Sequence, residues 1–179
     1  YGTVRFDVQP DMITTAKGLT NASVPAGAVV CKGHLFDTVT SAAADGAIEL
    51  FHGYTYSAHP LAMAAGLATM DVYDREGIFQ NARDMEAYFE DALHGLKGLP
   101  NVVDIRNVGI MGAVELRPVD DSPTKRGMDV FKRCWAKGVY MRVTGDTMAM
   151  SPPLILREEH VDRIMAVLSE SIEENASVM

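Results

Sequence analysis

The chain has little of what would mark several common classes of protein. Only two cysteines occur in its 179 residues, Cys31 and Cys134, and with no CxxC pair they suggest neither a disulfide framework nor a zinc site. A reducing, cytoplasmic setting is the expectation. Sixteen lysines and arginines stand against 24 aspartates and glutamates, a net charge of −8. No basic cluster is present, which argues against a nucleic-acid or anionic-membrane surface, because phosphate contacts need gathered cations. No apolar run approaches the ~18 residues that a membrane-spanning helix requires, and the first residues lack the basic-then-apolar order of a signal peptide. Internal repeats and low-complexity tracts are lacking too. The sequence opens on Tyr1 and runs straight into Val4-Arg5-Phe6-Asp7-Val8, which reads like the middle of a domain, so a fragment is expected.

What is present is material for a core. Apolar residues make up 47% of the chain, enough for one ordinary domain or two small ones. Two short apolar runs, Met12 to Ala16 and Ala28 to Cys31, flank a polar segment bearing glycine and proline, and they read as strands with Lys17 at the end of the first. Ser57 is a candidate N-cap and Pro60 suits a first helical turn, with Leu61, Ala64, Ala65, Ala68 and Val72 at helical spacing beyond them. After a break at Gly77, Ile78, Ala82, Met85, Phe89, Leu93 and Leu96 predict a second helix, amphipathic and ending at Gly98 and Pro100.

Beyond residue 100 the period shortens. Residues 102–108 and 110–116 read as paired strands, 124–137 as a helix stopped by Gly138, and 139–143 as a strand leading through Gly145-Asp146 to 148–150. A last helix turns Val161, Ile164, Met165, Leu168 and Ile172 inward. The division this predicts is an α/β segment over 1–99 and a small α+β domain over 100–179. The methionines and Trp135 are most economically core, and Glu158-Glu159 and Glu173-Glu174 are solvated helix faces.

Position alone makes Lys17 a solvated charge. A Schiff-base lysine needs a pocket, a labile proton and adjacent backbone that lets a ligand approach, and Gly18 meets the last need through its conformational freedom. The residues PDMITTAKGLTN, the motif P-x-G-A-V at Pro25 to Val29, and FHGYTYSAHPLAMAAGLA occur in this order. Together they resemble the class III aminotransferases, pyridoxal-phosphate enzymes of fold type I, and especially the β-alanine or ω-amino acid:pyruvate transaminases. The resemblance covers nearly the whole chain and matches the C-terminal part of a much longer protein, the end of the large α/β domain plus the small α+β domain.

That resemblance implies that Lys17 anchors pyridoxal 5′-phosphate covalently and then serves as general base. It implies that Thr55 binds the cofactor phosphate in the neighbouring subunit's site, hence a homodimer or higher homo-oligomer. Arg142, otherwise a strand-edge charge, is implied to pair with the substrate carboxylate and to swing aside for an amine lacking one. The amine donor and keto acid acceptor are small molecules. His52 and His59 read as packing or capping residues, because their spacing provides no shared ligating face and no third metal ligand is evident. The aspartate that partners the pyridine nitrogen, the phosphate turn and the stacking aromatic ring belong to the upstream half in this family and have no counterpart here. Another class III enzyme, of the glutamate-1-semialdehyde aminomutase kind, is one alternative. A non-catalytic binding or oligomerisation module, left with an unpaired sheet edge and an exposed apolar face, is the other.

Overall fold

The computed structural model describes residues 2–47, 50 and 53–177. They divide into two compact units, one ending at Glu76 and the other beginning at Gly77. No helix among the described residues is long and apolar enough to cross a membrane.

In the first unit a short helix α1 (Gly2–Arg5) precedes an antiparallel hairpin of β1 (Met12–Ala16) and β2 (Gly27–Cys31), then helices α2 (Gly33–Ser41) and α3 (Pro60–Arg75). Pairing runs in register from Met12↔Cys31 to Ala16↔Gly27. The Lys32 ammonium lies 3.0 Å from Asp11 Oδ1 at the open end of the hairpin and holds that carboxyl below its usual range. The run of β-branched and small residues makes these strands, yet Met12, Val29, Val30 and Phe36 are all more than half exposed. A two-stranded hairpin is marginal alone.

The second unit carries its own core. Helices α4 (Ile78–Asp84) and α5 (Glu86–His94) lead to β3 (Val102–Val108), β4 (Met111–Leu116), α6 (Lys125–Ala136), β5 (Arg142–Thr144), β6 (Thr147–Met150) and α7 (Glu158–Glu174). The strands form an antiparallel sheet in the order β3-β4-β6-β5. Helix α5 packs on β3, α6 on β5 and β6, and α7 on both helices. On β4, Val114 faces Ile105 of β3 and Met148 of β6, and it is fully buried with Phe89, Leu93, Val130, Val161 and Leu168. Each such side chain removed from water stabilises the unit by roughly 1.5–3 kcal/mol before entropy is counted. Asn81 ties the first helix to the chain before α7, donating to the carbonyls of Leu154 at 2.7 Å and Leu156 at 3.0 Å.

The boundary between units therefore falls before α4, not near residue 100. Burial of Phe89 and Leu93 commits α5 to the second core. The single helix anticipated over 78–96 is interrupted at Met85, although the bonds Met85 N→Asn81 O and Phe89 N→Met85 O, both 3.0 Å, carry the ladder through. The strand anticipated over 139–143 starts only at Arg142, because Val139 N closes the end of α6 on Cys134 O at 2.9 Å and is lost to the sheet. Trp135 is 61% exposed, not core. Met85, Met141, Met148, Met150 and Met165 are buried, whereas Met12, Met63, Met70, Met111 and Met128 are exposed. Both cysteines are free, Cys31 exposed and Cys134 buried, and burial pushes the Cys134 thiol up, away from reactivity.

At the surface Glu174 accepts from Arg133 at 3.0 Å and Lys137 at 2.8 Å, which holds its carboxyl below the ordinary 4.5. Such a group adds stability that is present above pH 4.5 and lost as the pH falls through the lower folded-state value. Glu174→Gln should flatten that part of the acid limb of stability against pH, read by urea unfolding at several pH values; an unchanged limb would refute the pairing. Leu93→Ala should destabilise the protein by about 2–5 kcal/mol, and a denaturation midpoint equal to wild type would contradict the packing described.

Candidate active site

Lys17 is the first residue past β1 and opens a 3₁₀ turn, Lys17–Leu19. Its φ is +51°, in the left-handed region that non-glycine residues occupy only when their surroundings impose it, at a cost of order 1–3 kcal/mol. Those surroundings are visible. The Lys17 carbonyl accepts from Thr20 N and Ala22 N, each at 3.3 Å. Thr20 is buried, and its hydroxyl donates to Val24 O at 2.6 Å. From α3, the Tyr73 hydroxyl donates to Gly18 O at 2.8 Å. Gly18 matters for a different reason than its backbone freedom: it is Lys17 that takes the left-handed φ, while a Cβ at position 18 would meet the Tyr73 hydroxyl at 3.3 Å. Among the described residues the Lys17 amine, exposed to solvent, makes no side-chain hydrogen bond or ion pair. It is a free amine on a braced backbone.

Thr55 lies in the same unit, in the turns that precede α3, with its side chain exposed. A groove of about 420 Å³ runs between residues 24–27 and the segment around Tyr54, Tyr56 and Ser57, so Thr55 sits between two of its wall residues. The cap anticipated at Ser57 is made instead by His59, whose Nδ1 accepts from Leu61 N at 3.2 Å. Ser57 Oγ closes the preceding turn by accepting from Tyr54 N at 3.1 Å. His59, tilted against Tyr56 at 6.3 Å between ring centres, is thus a capping and packing residue. His52 lies outside the described residues. No hydrogen bond among the described residues joins Thr55 to Lys17.

Arg142 belongs to the second unit. It starts the edge strand β5 and is exposed, with no side-chain partner among the described residues. It lines a cavity of about 340 Å³ with Tyr140, Met150, Ser151, Pro152 and Ile164. Tyr140, two residues back and 73% exposed, meets Trp135 edge-on at 5.5 Å and Phe131 at 6.0 Å. An unpaired guanidinium beside apolar walls suits a carboxylate, which it can hold by two parallel hydrogen bonds. Tyr73, which bonds to the lysine turn, and Asp146, which bonds to the start of α6, carry no signal in the sequence. Neither residue belongs to a motif, and their partners are 55 and about 20 positions away.

Pyridoxal phosphate asks of a protein an amine able to condense with its aldehyde and donors for its phosphate. The residues of the first unit fit both demands. Lys17 supplies the unpaired amine, and a hydroxyl and backbone N–H groups precede the N-terminus of the 16-residue helix α3, where the helix dipole favours an anion.

Comparison with known proteins accords with this chemistry. The family model of class III aminotransferases matches residues 1–172. The chain is 50% identical over 168 residues to an omega-aminotransferase of Caulobacter vibrioides, covering 94% of this chain and 38% of that protein. It is 41% identical over 172 residues to a beta-alanine–pyruvate aminotransferase of Pseudomonas aeruginosa, covering 96% and 38%. In three dimensions it matches an aminotransferase of Vibrio fluvialis solved in its PMP-bound form, with TM-score 0.89 and 30% identity over 100% of this chain and 41% of that one. The chain thus spans under half the length of these relatives.

Tyr73→Phe removes the donor to Gly18 O and keeps the ring. Amide hydrogen exchange at Thr20 and Ala22 should quicken by about threefold to tenfold, as loss of one net hydrogen bond implies, while the amides of α5 stay unchanged. Equal exchange in the two proteins would show that α3 does not brace the lysine turn.

Proposed function

The chain belongs to the class III aminotransferases, and from that premise we propose that it carries the lysine anchor of a cytoplasmic, homodimeric transaminase that moves an amino group from an ω-amino acid or amine to pyruvate. Enzymes of this class use pyridoxal phosphate, which when bound supplies an electron sink for the pair left at the substrate Cα. Lys17 Nζ would hold the cofactor covalently, and as a free amine it would act as the general base that carries a proton between the substrate Cα and the cofactor C4′ in each half of the reaction. The Thr55 hydroxyl donates to the phosphate in the neighbouring subunit's site, which makes the dimer the working unit.

Arg142 grips the carboxylate of pyruvate with two charge-assisted hydrogen bonds. Because no side chain of the described residues holds it, it can turn to solvent when the amine brings no carboxylate. The names of the relatives, omega-aminotransferase and beta-alanine–pyruvate aminotransferase, support this choice of substrates. The observation that carries the reading is the unpaired Lys17 amine on a left-handed turn directly after β1.

The test uses the full-length protein. Borohydride reduction in the presence of pyridoxal phosphate, followed by peptide mapping, should label Lys17, and Lys17→Ala should abolish the label. Pyruvate-dependent consumption of β-alanine should fall by at least about 10²–10⁴-fold in that variant. A label on another amine would overturn the anchor, and pyruvate-dependent turnover of neither ω-amino acids nor amines would overturn the donor class.

A further inference from the structure

Arg142 can read a carboxylate only if the strand that carries it stays where it is, and β5 has few means of its own. It is three residues long, lies at the sheet edge, and pairs on one side only, through Arg142↔Ala149, Val143↔Met148 and Thr144↔Thr147. A strand so short and one-sided depends on whatever fixes its turn.

The turn is Gly145-Asp146, two residues between Thr144 and Thr147, with Gly145 at φ +60° as a two-residue hairpin turn asks of its first central position. Asp146 is buried and is held at both ends. Its carbonyl accepts from Leu116 N at 2.9 Å, at the end of the central strand β4. Its carboxylate reaches α6: Oδ2 accepts from Thr124 N and Oδ1 from Gly127 N, each at 2.8 Å. Helix α6 has no local cap, since Thr124 makes no side-chain capping bond, and Asp146 satisfies its first free N–H groups from a different element.

The helix end being gripped is itself tied to two other elements. The side chain of Arg126, 5% exposed, donates to Arg117 O at 2.7 Å and to Asn175 Oδ1 at 2.7 Å, which ties the start of α6 to the end of β4 and to the residue closing α7. The approach of the turn is also close. A Cβ on Gly127 would lie 2.5 Å from Gly145 O and 2.8 Å from Asp146 Cα. So the turn fits against α6 only because position 127 has no side chain.

We propose that Asp146 is a positioning residue for substrate recognition: by clasping the β5–β6 turn to the N-terminus of α6 it sets where Arg142 presents its guanidinium, and Gly127 provides the room for that clasp. The proposal rests on the reading of Arg142 as the carboxylate anchor. Bidentate recognition is sensitive to displacement on the ångström scale, so loosening the turn weakens carboxylate-bearing partners selectively.

The experiment is done on the holoenzyme with Asp146→Ala, Asp146→Asn, Gly127→Ala and Arg142→Ala. With propan-2-amine as donor, pyruvate is compared with butanal, an acceptor without a carboxylate, and the dissociation constant of propionate is measured by calorimetry. Asp146→Ala and Gly127→Ala should raise KM for pyruvate and Kd for propionate by about tenfold or more, leaving kcat/KM for butanal within about twofold. Asp146→Asn, which keeps one acceptor oxygen, should fall between wild type and Asp146→Ala. Equal losses with both acceptors would make Asp146 merely structural and overturn the proposal, as would no loss with either. If Arg142→Ala leaves pyruvate and propionate unaffected, the reading of Arg142 itself fails, a result distinct from a failure of Asp146 alone.

Discussion

The cofactor-anchoring role proposed for Lys17 rests on one strained turn, in which the residue takes a left-handed φ of +51°. The strain persists because its own carbonyl accepts two N–H groups, Thr20 is buried and bonded onward to Val24, and Tyr73 holds the next carbonyl from α3. The hairpin delivers the lysine and the helix holds it still. Any chemistry at Nζ depends on this local over-determination.

The second unit applies a similar logic to a different group. Its sheet and helices α5, α6 and α7 bury a continuous apolar core around Val114, Phe89 and Leu93, with polar ties at its margin. Arg126, bonded to Arg117 and Asn175, fixes the helix end on which the Asp146 carboxylate is seated. A buried arginine is expensive unless its donors are satisfied, so these bonds both relieve that cost and make one arrangement of α6, the hairpin and α7 more favourable than its neighbours. The exposed Arg142 stands at the end of this chain of contacts. In the role proposed for it, this cation is free itself while the strand that carries it is held.

Much of this was legible in the residues. The alternation of apolar positions marked β3 and β4 within a residue, the 3.6-residue period marked α3, α6 and α7, and Lys17 was placed correctly at the end of a strand. Where the reading failed, the competing interactions were remote or subtle. Helix α2 gives little signal in the sequence, because Gly33–Ser41 has weak helix formers and no buried residue. His59 displaced Ser57 as the cap because Ser57 Oγ was already committed to Tyr54 N. The helices over 78–94 look like the tail of the preceding segment in sequence, but the burial of Phe89 and Leu93 assigns them to the core that follows. Trp135 sits at helical spacing yet stays exposed, with ring contacts to Phe131 and Tyr140 at the surface.

The sequence by itself determined the chemistry on offer: a lysine after a β-branched run, a hydroxyl ahead of a proline-started helix, and an arginine on a short strand before a proline pair. Those are properties of residue type and local spacing, and local propensity and periodicity suffice to express them. Only the tertiary structure decided which groups stay free and which are clasped. That Lys17 and Arg142 lack side-chain partners among the described residues, while Tyr73, Arg126 and Asp146 hold the segments that carry them, follows from contacts between residues far apart in the chain. Such contacts arise when apolar faces pack, and no local pattern of residues encodes their distances.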